Sequence, residues 1–237
     1  MSLLFVNGGA QRVDLGSAAS LDNIEAGTLM VWCRPTSSPP AANSRIYTKG
    51  GSQGPALLVT STGNVQFTRG RATTACSAIA ATANFTSWAA GQWLCMAATW
   101  DSAGAAGAQK LYIGDQNTAL TEPSAYSTQT FGSGAVTDDS AQNGWIGNSA
   151  AAVGGFDGEI AILALWNVQI STTNMGIWKD QCTPIVGGNM KGQWFLGREG
   201  TGSQLDYSGN GNAGTVTSAT VGTFLPKIYY QRRRVFR

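Results

Sequence analysis

Apolar residues alternate with polar ones or gather into short runs along most of the chain, and clusters of Gly, Asn, Asp, Ser and Pro separate them. Period-2 alternation marks half-buried strands, and no stretch sustains the 3.6-residue period of an amphipathic helix. Strands are predicted at 3–6, 12–15, 28–34, 45–49, 56–60, 65–69, 93–100, 110–113, 144–146, 158–166 and 192–196. Pro35 ends the third, and Ser61-Thr62-Gly63-Asn64 turns the chain between the fifth and sixth. In 93–100, Leu94, Met96, Ala98 and Trp100 point one way and Trp93, Cys95, Ala97 and Thr99 the other. Both faces are largely apolar, which suits a central strand of a packed sheet with something covering its outer face. The one helix-like piece is 171–180, where Ser171 can cap a turn carrying Met175, Ile177 and Trp178. Stretches 72–90 and 117–142, rich in Ala, Ser and Thr, read equally as meandering strands or as loops. The pattern argues for an all-β sandwich, with residues 1–225 as one domain and 226–237 as an arm.

Composition narrows the chemistry. Of 237 residues, 43% are hydrophobic and 12% charged, 31 are glycine, 8 are tryptophan and none is histidine. Soluble domains carry about 25% charged residues, so charge is scarce. Without histidine there is no Ser-His-Asp or Cys-His pair, no His-ligated zinc and no imidazole base. The charge is also unevenly placed. Residues 226–237 hold 5 of the 15 basic residues and no acid, which leaves ten basic against thirteen acidic residues in the body. The formal +2 therefore averages a mildly acidic body and a strongly basic tail.

Targeting signals are absent from the expected places. The opening 1–9 is apolar only briefly, lacks a basic start and breaks at Gly8-Gly9, so no signal peptide is expected. The longest apolar run, 160–166, is far short of the ~18–20 residues that span a bilayer. Cys33, Cys76, Cys95 and Cys182 have no CxxC spacing, and Cys33 and Cys95 read as small buried apolar residues.

Several phrases together resemble one family. Leu4-Phe5-Val6-Asn7-Gly8-Gly9 with Arg12-Val13-Asp14-Leu15-Gly16, then Thr28 to Pro35 around Trp32, then Gln92 to Asp101 followed by Leu111-Tyr112-Ile113-Gly114-Asp115, come first. Trp145-Ile146-Gly147-Asn148, Phe156-Asp157-Gly158-Glu159-Ile160, Leu165-Trp166-Asn167, and Gly192-Gln193-Trp194 with the Asp206 to Thr215 turn follow in the same order. This succession resembles the LamG-like jelly-roll domains of the concanavalin A-like lectin/glucanase superfamily over about residues 3–216. The resemblance implies two antiparallel sheets packed face to face as a jelly-roll sandwich; fold alone does not name a function.

The resemblance also supplies a catalytic test. Glucanases of this superfamily carry their acid and nucleophile as Glu-x-Asp-x-x-Glu, and retaining chemistry needs two carboxyls about 5–5.5 Å apart. The only glutamates here are Glu25, Glu122, Glu159 and Glu199, and none has that spacing. Asp157 and Glu159 share a strand face but belong to the turn phrase, where they are expected to bond backbone amides. No catalytic residue is assigned and no enzyme is expected. Asp206, in a turn with Gly209, Gly211 and Gly214 beside Asn210 and Asn212, is read first as turn chemistry with repeated positive φ and second as a weak calcium candidate. Lectin sites stack a sugar on an aromatic ring, and Trp88, Tyr126 and Tyr207 are the weak glycan-binding candidates; each reads first as a lid over the sheet.

The arm, with Tyr229, Tyr230, Arg232, Arg233, Arg234, Phe236 and Arg237, interleaves aromatics with cations. The acidic body weighs against nucleic acid, and the arm suits docking onto other protein subunits of a larger assembly or homo-oligomer. The expectation is a non-catalytic structural or adhesion protein, a virion component such as a bacteriophage capsid decoration or fibre-type subunit, assembled in the host cytoplasm. The alternative is a carbohydrate-binding lectin module, calcium-dependent or not, and no cofactor is otherwise expected. Deleting residues 226–237 is expected to leave a folded sandwich and abolish its association, as read by light scattering; unchanged association removes the arm from the account.

Overall fold

The computed structural model describes residues 1–37, 39–51, 53–81, 90–101, 109–149, 151, 154–183, 185 and 187–222. One sheet has the order β15 (Thr220–Val221), β1 (Leu3–Phe5), β12 (Gly158–Trp166), β3 (Ala26–Pro35), β8 (Leu94–Asp101), β9 (Lys110–Asp115), with β13 (Met190–Phe195) also paired to β12. The other has eight strands: β10 (Tyr126–Thr130), β7 (Cys76–Ala80), β6 (Val65–Arg69), β5 (Pro55–Val59), β4 (Ser44–Lys49), β11 (Gly144–Ile146), β2 (Arg12–Asp14), β14 (Thr215–Thr217). Every pairing within the two sheets is antiparallel. The all-β jelly-roll sandwich expected from the sequence is the fold observed.

Strand β12 organises the seven-stranded sheet. Its run Gly-Glu-Ile-Ala-Ile-Leu-Ala-Leu-Trp is buried at every position. One edge pairs with β3 throughout, and the other is shared by β1 near Gly158 and β13 near Trp166. A register shift between Ile160 and Ile162 turns Ala161 and Ile162 both outward, while Ile160, Leu163 and Leu165 face the other sheet. In β8, Leu94, Met96, Ala98 and Trp100 join the inter-sheet core, and Cys95 and Ala97, with Trp93 just before the strand, join a second cluster on the outer face. The two-faced strand read from the sequence is thus matched in the fold.

The outer cluster is covered by α1 (Thr172–Gln181). Ser171 accepts the Asn174 N–H at 3.2 Å as the expected cap, and Cys182 ends the helix at φ +49°. Met175 and Trp178, three apart, point to the sheet, and Trp178 meets Trp166 edge to face at 5.9 Å. Ile177, between them in sequence, lies on the opposite helix face and is exposed. Donors beneath the helix satisfy carbonyls at and beyond its C-terminus: Trp32 Nε1 to Lys179 O at 3.1 Å, Gln193 Nε2 to Cys182 O at 2.8 Å and Trp166 Nε1 to Ile185 O at 2.9 Å. None of the four cysteines is in a disulfide, and all are buried. No helix among the described residues is long and apolar enough to cross a membrane.

One end of the sandwich is closed by buried charge. Lys49 and Arg69, at the ends of β4 and β6, are both fully buried. The Lys49 ammonium meets Asp22 Oδ1 at 2.7 Å and Gln142 O at 3.0 Å, and Arg69 Nη2 lies 3.3 Å from Asp139 Oδ2. Asp139 Oδ1 accepts the Asn23 N–H at 2.8 Å, and Asn23 Oδ1 accepts the Asp139 N–H at 3.0 Å. Burial raises the Asp139 carboxyl above its ordinary range, with Arg69 and Lys49 opposing that shift. Removing one member of such a set leaves the opposite charges buried and unpaired. Asp139→Asn is expected to cost about 3 kcal/mol of unfolding free energy in urea titrations; a loss no greater than that of a surface substitution would contradict this account of the charged plug.

Candidate functional site

The two acids of the Phe156-Asp157-Gly158-Glu159 phrase are occupied. Gly158 starts β12 where a Cβ would lie 2.2 Å from the Arg34 carbonyl oxygen, so only glycine lets the two strands close there. Asp157 precedes the strand, and its Oδ2 accepts from Ser37 Oγ at 3.0 Å. Glu159 is buried in an ion pair with Arg34 and accepts from Ser2 Oγ at 2.5 Å. The expected side-chain bonds to turn amides are replaced by side-chain partners, because the close β1–β12–β3 pairing brings Ser2 and Arg34 to Glu159. Arg34 also lies over the Trp93 ring, 6.0 Å from its centroid.

Asp206 ties its own turn. Its carboxylate accepts from Gln193 N at 3.0 Å, Ser208 N at 2.8 Å, Ser208 Oγ at 2.8 Å and Asn212 N at 3.0 Å. Gly209 and Gly211 take positive φ as expected. Gly214 is glycine for another reason: a Cβ would meet Val13 Cγ1 at 2.4 Å. Asn210 and Asn212 donate side-chain amides to Met190 O at 2.9 Å and Lys191 O at 2.7 Å. Among the described residues no three His, Cys, Asp or Glu side chains gather as a ligand set.

The aromatic candidates divide. Trp88 and the whole arm, including Tyr229, Tyr230, Arg232, Arg233, Arg234, Phe236 and Arg237, lie outside the described residues. Tyr126 begins β10 and packs against the inter-sheet core; its hydroxyl accepts the Leu111 N–H at 2.9 Å and donates to Glu122 at 3.0 Å. Burial raises its phenol above the usual range. Tyr207 donates to Glu199 at 3.0 Å, meets Phe195 edge to face at 5.0 Å and carries the Arg198 guanidinium 5.0 Å from its ring centre. Burial, then the bond to Glu199, raises its phenol as well. Both candidate tyrosines are engaged by the protein itself.

An open polar cleft lies elsewhere, in a stretch that gave no sequence signal. Strand β9 ends at Asp115, whose Oδ1 accepts the N–H groups of Asn117 and Thr118, both at 2.7 Å. Asp115 N–H donates to Thr118 Oγ1 at 3.0 Å, and Gln92 Nε2 donates to Asp115 Oδ2 at 2.9 Å. The bonds from Asn117, foremost, and from Thr118 hold the Asp115 carboxyl below the usual carboxylate range. The chain then folds back as a bridge between Ile113 and Thr121. From the opposite wall, Lys179 Nζ donates to Asp115 O at 3.1 Å and pairs with Asp180 at 2.9 Å. Between loop 116–120 and the α1 face bearing Thr172, Gly176, Lys179 and Asp180 is a cleft of about 340 Å³. Thr172, Gly176 and Asp180 are four apart, so they share that face. Nothing lies within 4 Å of a Cβ built on Gly176. Glycine inside a helix costs about 0.5–1 kcal/mol relative to alanine, and here it leaves the cleft deep.

Comparison with known proteins places this geometry in a family. The Laminin_G_3 family, described as belonging to the concanavalin A-like lectin/glucanases superfamily, matches residues 7–174. No curated protein matches the sequence. A candidate carbohydrate binding protein from Bacteroides ovatus is 14% identical with a TM-score of 0.60, over 94% of this chain and 59% of that one, so this chain spans under two thirds of its length. The native heptameric SAP-like pentraxin from Limulus polyphemus is 13% identical with a TM-score of 0.50, over 75% of this chain and 81% of that one. Full-length tailspike protein 2 from Escherichia coli O157:H7 bacteriophage CAB120 is 13% identical with a TM-score of 0.50, over 82% of this chain and 30% of that one. At such identities these likenesses concern the fold. The family match covers well over half of the sequence and agrees with two facing sheets of seven and eight strands, so the chain belongs to the concanavalin A-like lectin/glucanases superfamily.

Proposed function

We propose that this protein is a non-catalytic carbohydrate-binding module of the adhesion type. The carrying observation is the division of its polar groups. The acids of the strand-entry phrase are tied up, Glu159 by Arg34 and Ser2 and Asp157 by Ser37, whereas an open cleft presents amide and hydroxyl side chains. Glycosidic chemistry needs one carboxyl free to donate a proton and a second placed for attack or for water. Sugar binding needs only complementary donors and acceptors on a stable wall. Membership of a superfamily of lectins and glucanases, and a fold shared with a candidate carbohydrate binding protein over 94% of this chain, support the reading.

A place in a virion is the second reading. Its supporting observation is the fold shared with the phage tailspike over 82% of this chain. Mass spectrometry of purified particles from the source tests it, and absence of the protein from them ends it.

The purified chain is expected to bind oligosaccharides on a glycan array, to release no reducing sugar from them, and to bind equally with and without chelator, because four donors already occupy the Asp206 carboxylate. Array binding that disappears on chelation would restore the calcium-dependent alternative, and cleavage of any glycan would overturn the non-catalytic reading.

A further inference from the structure

We infer that the cleft between loop 116–120 and α1 seats a neutral, hydroxyl-rich sugar end, that Gly176 sets its depth, and that Asp180 turns anionic sugars away. The inference rests on the carbohydrate-binding reading and adds to it a place, a ligand class and two selective residues.

Size comes first. Small-molecule sites run from about 300 to 1,000 Å³, so about 340 Å³ suits the terminal unit of a glycan better than a long chain segment. The lining comes next. Gln116, Asn117, Thr118 and Thr172 offer amides that both donate and accept and hydroxyls that do the same, the inventory that matches sugar hydroxyls. The backbone N–H groups of Asn117 and Thr118 are bound by Asp115 and the Thr118 hydroxyl is engaged by the Asp115 N–H, so recognition falls chiefly to the side chains of Gln116, Asn117 and Thr172.

Charge decides between ligand classes. The charged residues lining the cleft are Lys179 and Asp180, both from α1, and the Asp115 carboxylate behind the loop is occupied by Asn117, Thr118 and Gln92. Lys179 is 7% exposed and committed on two sides, to the Asp115 carbonyl and to the Asp180 carboxylate. Asp180 is 66% exposed at the rim. A carboxylated or sulfated sugar would meet Asp180 and find no uncommitted cation, whereas an uncharged sugar meets neither obstacle.

Gly176 makes the arrangement testable, because it lines the cleft, open space surrounds the position of its Cβ, and leucine is a strong helix former. The experiment is an array of neutral hexose-terminated oligosaccharides beside sialylated, uronate-terminated and sulfated ones, probed with the full chain and its variants. Neutral glycans are expected to be retained, and Gly176→Leu to weaken them at least tenfold while circular dichroism and Tm show an intact fold. Asn117→Ala, on the exposed loop, is expected to weaken the same glycans, and Asp180→Lys to admit anionic ones. Neutral binding unchanged in both Gly176→Leu and Asn117→Ala would move the seat elsewhere and leave the carbohydrate reading standing. A wild-type preference for anionic glycans would overturn the ligand class. No binding to any glycan would defeat the carbohydrate reading itself, and this inference with it.

Discussion

A strand that is apolar on both faces cannot lie at the surface of a two-layer protein. In β12, and in the β3 and β8 strands beside it, one row of side chains fills the space between the sheets and the opposite row carries Met30, Trp32, Cys95, Ala97, Ile162, Ala164 and Trp166. Left to water, that second row would forfeit about 1.5–3 kcal/mol for each large side chain. The need for a third layer therefore precedes any consideration of binding. Helix α1 meets it with Met175 and Trp178, and the indole and amide donors of Trp32, Trp166 and Gln193 fasten the carbonyls around its end. Because the helix is narrower than the sheet, its flank stands beside the β9 edge, and the polar cleft is the gap between them.

Much of this fold was legible in the chain. Alternation located the eleven strands with strong apolar rows, and the double-faced pattern of 93–100 required a cover before any helix was placed. Strands β7 and β10 were not legible, because Cys76-Ser77-Ala78-Ile79-Ala80 turns only small residues inward and Tyr126–Thr130 is a mostly polar edge. The short β14 and β15 carry too few residues to show a period. Ile177 is apolar, but it lies out of step with Met175 and Trp178 around the helix and is exposed.

The site was far less legible. Aromatic residues in apparent loops drew attention, and the two described ones spend their hydroxyls and rings on Glu122, Glu199, Phe195 and Arg198. The loop wall of the cleft runs Gln-Asn-Thr-Ala-Leu and the helix wall carries Thr172, Gly176, Lys179 and Asp180, none of which forms a recognisable motif, and the two walls are distant in sequence until β9 and α1 bring them together. The charged plug was hidden in the same way. Lys49 and Arg69 end otherwise ordinary strands, and their partners Asp22 and Asp139 come from connections at opposite ends of the first 140 residues. Local pattern reports which way a residue points; it does not report which remote group it will meet.

The knot at Asp115 separates two tasks that binding loops usually combine. The backbone of 115–118 is held by its own carboxylate and by Lys179, so little conformational entropy remains to be lost when a ligand arrives. The outward side chains of that loop, by contrast, contribute nothing to the knot except through Thr118. Residues 116, 117 and 119 can therefore be exchanged on a scaffold that stays preorganised, a division of labour that would let ligand preference drift between relatives while the sandwich beneath it is conserved in shape.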